Sequence, residues 1–292
     1  MGVKVFGHRG ASGYRPENSL EAFELAFAQG ADGIECDIVP TLDGELILRH
    51  ESELSETTDI ADHPEFADRR KSVLMYERWP VSGWFSEDFT LAELKTLRIK
   101  ERLPELRPGS AKFDGKFQIP TVQELLSAPW AVGQKLILEV KHGLHFQNLG
   151  FDIVTTLASL IKEHESQGHG TVFVFESFNL EVVTQMKQQI GGDSKYVFLV
   201  DTWGMPTDKS MAEFMADVAS KVDGISFNYT LLTPEMIALA RKHQMRIYNW
   251  TARAEDAEFS VQEHFMKFID QQPDGIFTDQ PDLLVELVAS LD

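Results

Sequence analysis

Short runs of apolar, β-branched and aromatic residues recur along the chain, and most are followed by a longer segment with the apolar spacing of an amphipathic helix. These runs predict strands at residues 3–8, 33–39, 136–141, 172–177, 196–201, 224–228, 246–250 and 275–279. Helices are predicted between most of them, at residues 19–29, 151–165, 180–190, 209–220, 234–243, 254–269 and 281–291. The alternation of strands with helices is typical of a parallel sheet.

Several of the predicted strands are apolar at nearly every position, for example Leu136-Ile137-Leu138 and Val172-Phe173-Val174-Phe175. Strands that are buried on both faces have this composition, and eight of them suit a closed (β/α)8 barrel. An open doubly wound sheet is the alternative, but the sequence lacks the glycine-rich dinucleotide loop expected there. The predicted fold class is therefore α/β, a (β/α)8 TIM barrel.

The segment 51–118 interrupts the alternation of strands and helices, because it separates two barrel strands by far more residues than one helix requires. It contains four prolines and too many aromatic residues for a disordered linker. Five of these aromatic residues form a cluster in the sequence, namely Tyr76, Trp79, Trp84, Phe85 and Phe89. Residues 90–97 predict a short helix that Thr90 caps. We expect a single domain over residues 1–292, in which 51–118 is a long insertion after the second barrel strand, packed on the barrel.

The formal net charge of −19 over 292 residues excludes several classes of partner. Nucleic acid and anionic membranes require a basic surface, so neither is expected. No run approaches the length of about 18 apolar residues that predicts a transmembrane segment. The sequence begins without the features of a secretory leader, which predicts a cytoplasmic protein, or an exported one if a leader has been removed. The sequence indicates no particular oligomeric state.

Carboxylates cluster at the ends of two predicted strands. In a (β/α)8 barrel the functional residues lie at the C-terminal ends of the strands. Glu35 and Asp37 are two residues apart on one strand, so their side chains share a face, and Glu139 ends the next barrel strand. Such acids repel one another unless a cation lies between them, and oxygen ligands suit Mg²⁺ or Ca²⁺. Ion pairs with basic residues such as Lys141 are the alternative.

Two histidines are expected beside this cluster. Asp43-Gly44 predicts a two-residue hairpin turn after the second strand, and with that turn Asp37 would face His50 across the ladder. His8, at the end of the first strand, would lie next to the same site. Two imidazoles at a metal could act as general base and general acid.

Basic residues adjoin both parts of the cluster, because Arg9 follows His8 and Lys141 lies two residues after Glu139. A guanidinium and an ammonium group next to a divalent cation suit a phosphate or a phosphodiester. Neutralisation of the acidic cluster is the alternative, and both interpretations could hold together.

These residues belong to a series of motifs that resembles the glycerophosphodiester phosphodiesterase family. The motifs occur in the family's order over nearly the whole chain, and although each is weak alone, their joint order is specific. They are Gly7-His8-Arg9-Gly10-Ala11, Pro16-Glu17-Asn18-Ser19, Glu35-Cys36-Asp37, Asp43-Gly44 with His50, Ile119-Pro120-Thr121, Leu138-Glu139-Val140-Lys141, Ser177-Phe178, Trp250-Thr251 and Asp274-Gly275-Ile276-Phe277-Thr278-Asp279-Gln280-Pro281.

The resemblance implies a (β/α)8 barrel with an insertion after the second strand, and it implies roles at the matching positions. The catalytic acid and base would be His8 and His50. The ligands of one divalent cation, Mg²⁺ or Ca²⁺, would be Glu35, Asp37 and Glu139. The residues that contact the substrate would be Arg9 and Lys141 at the phosphate, and Phe178 and Trp250 at the glycerol. The chain departs mildly from the family pattern, with Glu51 in place of Asp after His50 and Ser19 in place of Thr.

The predicted function is metal-dependent hydrolysis of small glycerophosphodiesters to sn-glycerol 3-phosphate and an alcohol. The nucleophile would be water, or the glycerol hydroxyl of the substrate by way of a cyclic phosphate. A lysophospholipase D, with Trp79, Trp84 and Phe85 along an acyl channel, is one alternative. A barrel that binds phosphate esters without turnover is the other, and the presence of both histidines, all three acids and both basic residues argues against it.

Overall fold

The computed structural model describes residues 2–75 and 79–291 of the chain. Within these ranges the strands are β1 (Lys4–Gly7), β2 (Gly33–Pro40), β3 (Leu46–Leu48), β4 (Lys71–Met75), β5 (Trp79–Gly83), β6 (Lys135–Val140), β7 (Val172–Ser177), β8 (Lys195–Val200), β9 (Gly224–Asn228), β10 (Arg246–Ala252) and β11 (Gly275–Thr278). Strands β1, β2 and β6 to β11 pair in parallel, and β1 pairs with both β2 and β11. This pairing closes the sheet into the predicted eight-stranded barrel.

Helices follow the barrel strands, mostly where the apolar spacing predicts them. They are α1 (Leu20–Ala28), α2 (Leu91–Leu94), α3 (Pro108–Ala111), α4 (Val122–Ser127), α5 (Gly143–Asn148), α6 (Ile153–Ser166), α7 (Leu180–Gln189), α8 (Met211–Ala219), α9 (Pro234–Lys242), α10 (Val261–Ile269) and α11 (Pro281–Ala289). The helix predicted over 254–269 begins later than expected. Residues 254–256 form a short 3-10 turn, and Ser260 then caps α10 by accepting a hydrogen bond from the N–H of Glu263.

The inner face of the barrel changes from apolar to charged along the strands. A small apolar cluster fills its lower part, formed by Phe6, Ile137, Val174, Val197, Tyr248 and Phe277. Because side chains two residues apart on a strand share a face, Glu139 lies one layer above Ile137 and Glu176 one layer above Val174. The apolar layer therefore supports a charged layer at the C-terminal ends of the strands.

The hairpin that joins β2 to β3 does not have the predicted two-residue turn. Three residues, 42–44, form its loop, and Gly44 has a φ of 83°, the left-handed conformation that closes a three-residue loop. The longer loop shifts the pairing by one residue, so the N–H of Arg49 donates to the carbonyl of Asp37 at 2.9 Å. The predicted pairing of Asp37 with His50 was therefore wrong. His50 lies just past the end of the ladder, where strand alternation no longer sets the direction of its side chain.

Several apolar side chains of the segment 51–118 are buried together with side chains of the barrel strands. Leu54, Ile60 and Phe89 are buried in the same apolar cluster as the outward-facing residues of β2, such as Ile34. The short helix predicted at its centre is present as α2, and Thr90 forms a capping box with Glu93 at its start.

Two of the three aromatic residues in the lysophospholipase hypothesis, Trp84 and Phe85, do not line an open acyl channel. Phe85 is fully buried, and Trp84 is 9% exposed with its indole N–H donating to the carbonyl of Phe66 at 2.6 Å. Both side chains are therefore packed in the core. Tyr76 and the side chain of Trp79 lie outside the described residues. In the described part of the chain, no helix combines the length and the apolar character needed to span a bilayer.

Candidate active site

A small pocket opens at the C-terminal ends of the barrel strands, the end at which functional residues of this fold lie. The residues that line it are His8, Arg9, Glu35, His50, Glu139, Lys141, Glu176, Phe178, Leu199, Trp250, Thr251, Arg253 and Phe277. The structure therefore brings together the residues predicted from the sequence, and Asp37 adjoins them through Glu35 and Glu139.

Three buried carboxylates form a group that could hold a metal ion. Glu35, Asp37 and Glu139 each offer one oxygen, and these oxygens lie within 4.8 Å of one another. Oε1 of Glu35 has no hydrogen-bond partner among the described residues, whereas Oε2 accepts the backbone N–H of Arg9 at 2.8 Å. A buried carboxylate oxygen is costly without a partner, so the donor set fits a hard divalent cation.

Asn18 orients the central carboxylate of this group. Its side-chain amide donates to Oδ2 of Asp37 at 2.8 Å, and its carbonyl oxygen accepts the backbone N–H of Asp37 at 3.1 Å. The amide thereby fixes one oxygen of Asp37, which is the arrangement expected of a residue that supports a metal ligand. Asn18 belongs to one of the family-like motifs of the sequence, but the sequence alone indicated no role for it.

The two predicted phosphate contacts form ion pairs with the same carboxylates. Lys141 Nζ lies 2.7 Å from Glu139 Oε1 and 3.5 Å from Asp37 Oδ1. Arg9 Nε lies 3.3 Å from Asp37 Oδ2. The structure thus contains some of the ion pairs of the alternative interpretation. However, only two basic side chains lie beside the three carboxylates of the group, and Glu176 is a fourth carboxylate nearby. A deficit of positive charge remains that a divalent cation would remove.

Glu176 is the fourth carboxylate, and the sequence alone indicated no role for it. It is opposite Glu139 on the neighbouring strand and only 2% exposed. Its Oε2 has no hydrogen-bond partner among the described residues. Burial, together with the charges of Glu139 and Asp37, holds the pKa of Glu176 well above its usual range.

The other carboxylates respond differently to the same surroundings. Burial and the neighbouring acids raise the pKa of Glu35 well above its ordinary value. Burial also raises the pKa of Glu139 to about 7, although Lys141 opposes the shift. For Asp37, burial is outweighed by the positive charges of His50, Lys141 and Arg9, which hold its pKa below the ordinary range. Without a bound cation, the group therefore retains protons near neutral pH.

His8 is held by a carboxylate at the end of the last barrel strand. Its Nδ1 lies 2.6 Å from Oδ1 of Asp279. The pKa of Asp279 is well below its ordinary value, because His8 and two arginines outweigh its burial, so the ionised carboxylate accepts the Nδ1 proton. Burial and the charge of Arg9 lower the pKa of His8 to about 4. The imidazole is therefore neutral at pH 7, with the lone pair on Nε2.

His50 has the same arrangement with a different carboxylate. Its Nδ1 forms a short hydrogen bond with Oε1 of the adjacent Glu51, the residue at which the chain departs from the usual family motif. Burial lowers the pKa of His50, with further contributions from Arg9 and Lys141. Both imidazoles thus have Nδ1 occupied by a carboxylate, and both line the same pocket as the acidic group.

Two aromatic side chains form part of the pocket wall. Phe178 and Trp250 meet edge to face, with ring centroids 5.5 Å apart and an interplanar angle of 85°. Lys141 Nζ lies 5.2 Å from the centroid of Phe178. An apolar wall beside a cation can bind an alcohol backbone that carries a phosphate.

A family model, that of the glycerophosphoryl diester phosphodiesterase family, matches residues 8–283. The chain belongs to this family. It is 29% identical to a glycerophosphodiester phosphodiesterase of Arabidopsis thaliana over 93% of this chain and 82% of that protein. It is 28% identical to a glycerophosphodiester phosphodiesterase of Caldanaerobacter subterraneus subsp. tengcongensis over 99% of this chain and 98% of that protein.

The fold is shared with a solved structure, that of an Oleispira antarctica phosphodiesterase in complex with the product sn-glycerol-3-phosphate. The TM-score is 0.72 at 21% identity, and the match covers 99% of this chain and 97% of that chain. Membership in the phosphodiesterase family confirms the predicted enzyme class. The likeness to this solved structure confirms the predicted barrel.

Several functional candidates of this phosphodiesterase were not predicted as such. Asp279 was visible in the sequence as the polar end of the last strand, but without a partner. Arg102 and Arg107 gave no signal, because they lie in the irregular part of the segment 51–118. Arg102 binds Glu51, the carboxylate at His50, and Arg107 binds Asp279, the carboxylate at His8.

Proposed function

We propose that the chain hydrolyses small glycerophosphodiesters to sn-glycerol 3-phosphate and an alcohol. The observation that supports this most is the shared pocket. It contains two imidazoles, each bound through Nδ1 to a carboxylate, next to three carboxylates that suit a divalent cation. We also propose that residues 1–292 are a single barrel domain, with 51–118 as its insertion.

Glu35, Asp37 and Glu139 would hold one divalent cation, Mg²⁺ or Ca²⁺. When bound, the ion would neutralise the acidic group and stabilise negative charge on the phosphoryl oxygens. The buried, unpartnered oxygen of Glu35 and the amide that orients Asp37 support this assignment.

Arg9 and Lys141 would contact the phosphate. Both side chains are nearly buried and are bound to the acidic group. A cation in that group would compensate the carboxylates, so that more of the positive charge of Arg9 and Lys141 acts on the substrate. Stabilisation of charge that develops on the phosphoryl oxygens accelerates the reaction.

His8 and His50 would move the protons. One imidazole, in its neutral form, would accept the proton of the attacking hydroxyl group at Nε2. The other, in its imidazolium form, would donate its Nε2 proton to the oxygen of the departing alcohol. Asp279 and Glu51, by accepting the Nδ1 protons, would hold both rings with Nε2 available to the substrate. Phe178 and Trp250 would pack against the glycerol moiety.

The test is product release from a panel of substrates, measured as glycerol 3-phosphate for the glycerophosphodiesters and as lysophosphatidic acid for the lysophospholipid. The panel holds glycerophosphocholine, glycerophosphoethanolamine and glycerophosphoglycerol, with a lysophosphatidylcholine for the lipid alternative and a phosphomonoester as control. We expect glycerol 3-phosphate from the glycerophosphodiesters, loss of this activity after chelation, and recovery with Mg²⁺ or Ca²⁺. Turnover of the lysophospholipid alone, binding without turnover, or full activity after exhaustive chelation would contradict the proposal.

A further inference from the structure

Each imidazole of the pocket is the first member of a chain of three side chains. The second member is the carboxylate on its Nδ1, Asp279 for His8 and Glu51 for His50. The third member is an arginine of the segment 51–118, because Arg107 binds Asp279 and Arg102 binds Glu51. The two arginines are only five positions apart in the sequence.

Arg107 binds the oxygen of Asp279 that does not face His8, and Arg253 donates to the same oxygen through Nε at 2.9 Å. Arg107 Nη2 donates to Asp279 Oδ2 at 2.5 Å, while Asp279 Oδ1 accepts from His8. The other donors of Arg107 are also used, Nε by Glu255 Oε1 at 2.6 Å and Nη1 by the carbonyl of Ser12 at 3.1 Å. The side chain of Arg107 is only 4% exposed, so the guanidinium is locked in place and holds Asp279 in one orientation.

Arg102 makes the corresponding contacts at the second histidine. Its Nη2 lies 2.5 Å from Glu51 Oε2, and its Nε donates to Glu17 Oε2 at 2.8 Å. Glu17 in turn accepts from Arg9 at 3.1 Å. Arg102 thus joins the carboxylate of the second histidine to the carboxylate that holds a proposed phosphate contact.

We propose that Arg102 and Arg107 are positioning residues, through which the segment 51–118 orients the His8–Asp279 and His50–Glu51 pairs. The proposal rests on the function proposed above for His8 and His50. It assigns the segment a part in catalysis, because the segment supplies Arg102 to Glu51 and Arg107 to Asp279, which Arg253 of the barrel binds as well. A carboxylate whose second oxygen is bound cannot rotate, so the imidazole that it holds keeps Nε2 directed at the substrate.

Loss of such a supporting contact should affect turnover more than binding. Partners of this kind typically contribute about 10- to 100-fold to activity, and a displacement of about 1 Å in a catalytic group can cost about 100-fold. We expect Arg107→Ala to lower kcat about 10- to 100-fold with little change in KM. Arg102→Ala should lower kcat to a similar extent and also raise KM, because Arg102 supports Arg9 through Glu17.

The chain offers a matched control in Arg98, which lies in the same segment four positions before Arg102. Its guanidinium donates to backbone carbonyls near the end of α2, those of Lys95, Thr96 and Leu97. Arg98→Ala therefore removes an arginine that supports the segment without touching either histidine pair. A purely structural role for Arg102 and Arg107 predicts the same kinetic effect for all three variants.

The experiment compares Arg107→Ala, Arg102→Ala and Arg98→Ala in the full chain, with glycerophosphocholine as substrate and unfolding temperatures measured in parallel. The histidine Nδ1 protons are followed by NMR of the ¹⁵N-labelled protein, and guanidinium is added to the Arg107→Ala variant. We expect a perturbed Nδ1–H signal of His8 in Arg107→Ala alone, partial rescue of its kcat by guanidinium, and near wild-type kinetics for Arg98→Ala.

Two results would overturn the inference, namely equal kcat losses in all three variants, or an Arg107→Ala variant within threefold of wild-type kcat with an unchanged His8 signal. If Arg107→Ala does not fold, Arg107→Lys replaces it, since lysine keeps the charge but cannot bridge Asp279 and Glu255. A tenfold or greater loss of kcat then supports the inference, and wild-type kcat overturns it. A wild-type protein that is inactive on every glycerophosphodiester would instead refute the proposed function itself.

Discussion

Replacement of Glu139 by Gln tests the metal site without any activity measurement. Burial raises the pKa of Glu139 from 4.5 to about 7 in the cation-free protein. One pKa unit corresponds to about 1.4 kcal/mol, so ionisation of Glu139 would lower the free energy of unfolding by about 3 kcal/mol. Because the folded pKa is the higher one, this loss is absent below pH 4.5, grows as the pH rises, and is complete above pH 7.

The assay is urea unfolding of the wild type and of Glu139→Gln, in excess chelator, at pH 5 and pH 8. The variant should gain about 2 to 3 kcal/mol over the wild type between these pH values, because glutamine does not ionise. The titrations of other groups, such as His8, occur in both proteins and cancel to first order in the difference. The variant also removes the ion pair between Glu139 and Lys141, and this loss changes the free energy of unfolding by a similar amount at both pH values.

A saturating cation should offset the variant's gain in free energy of unfolding at pH 8, because the cation stabilises the wild type instead. Mg²⁺ or Ca²⁺ that binds the carboxylates stabilises the folded wild type by mass action, and more at pH 8 than at pH 5, because protons compete with the ion. Glu139→Gln should gain much less from the same addition. A difference between the two proteins that is equal at pH 5 and pH 8, with no effect of either cation, would refute the reasoning about the buried acidic group.

Three further predictions concern single residues of the site. Asp279→Asn should lower kcat at least about 100-fold while the protein stays folded, because the amide cannot fix the same His8 tautomer; wild-type kcat would contradict this. Asn18→Ala should weaken cation binding about 10- to 100-fold, measured by titration calorimetry, since it frees one oxygen of Asp37; an unchanged affinity would exclude that support. Trp250→Ala should raise KM for glycerophosphocholine more than it lowers kcat, and the reverse pattern would place Trp250 outside the glycerol wall.

The barrel could be predicted because its physical origin is local. Strands buried on both faces are short and apolar, and the apolar residues of the helices between them recur about every 3.6 residues. Both patterns are therefore visible along the chain. The charged layer was predictable for a similar reason. Side chains two residues apart on a strand share a face, so the spacing of Glu35 and Asp37 is enough to place their carboxylates side by side.

The turn of the hairpin between β2 and β3 could not be predicted in this way. Asp-Gly occurs in two-residue turns but also provides the left-handed residue of three-residue loops, and the sequence does not distinguish the two. The register of β2 with β3 therefore differed by one residue from the prediction. His50 nevertheless lines the pocket, because it follows the ladder and is held by Glu51 instead.

The supporting contacts could not be predicted, because they join residues far apart in the sequence. Arg107 binds Asp279 across 172 positions, and the segment that contains it has no period from which a side-chain direction follows. Glu176 was visible in the sequence as the polar end of its strand, but no partner could be assigned to it. Its strand carries a single acid, and its position beside Glu139 depends on the pairing of two strands, β6 with β7.

The central claim is that two carboxylate-bound imidazoles in this pocket perform acid–base catalysis on glycerophosphodiesters. The most direct test is kcat/KM for glycerol 3-phosphate release from glycerophosphocholine, with Mg²⁺ or Ca²⁺, by the wild type, His8→Ala and His50→Ala. His169→Ala, at a partly exposed histidine that does not line this pocket, is the control. We predict losses of about 10²- to 10⁴-fold for His8→Ala and His50→Ala, unchanged unfolding temperatures, and full activity for the control. Activity within tenfold of wild type in either pocket variant would contradict the claim.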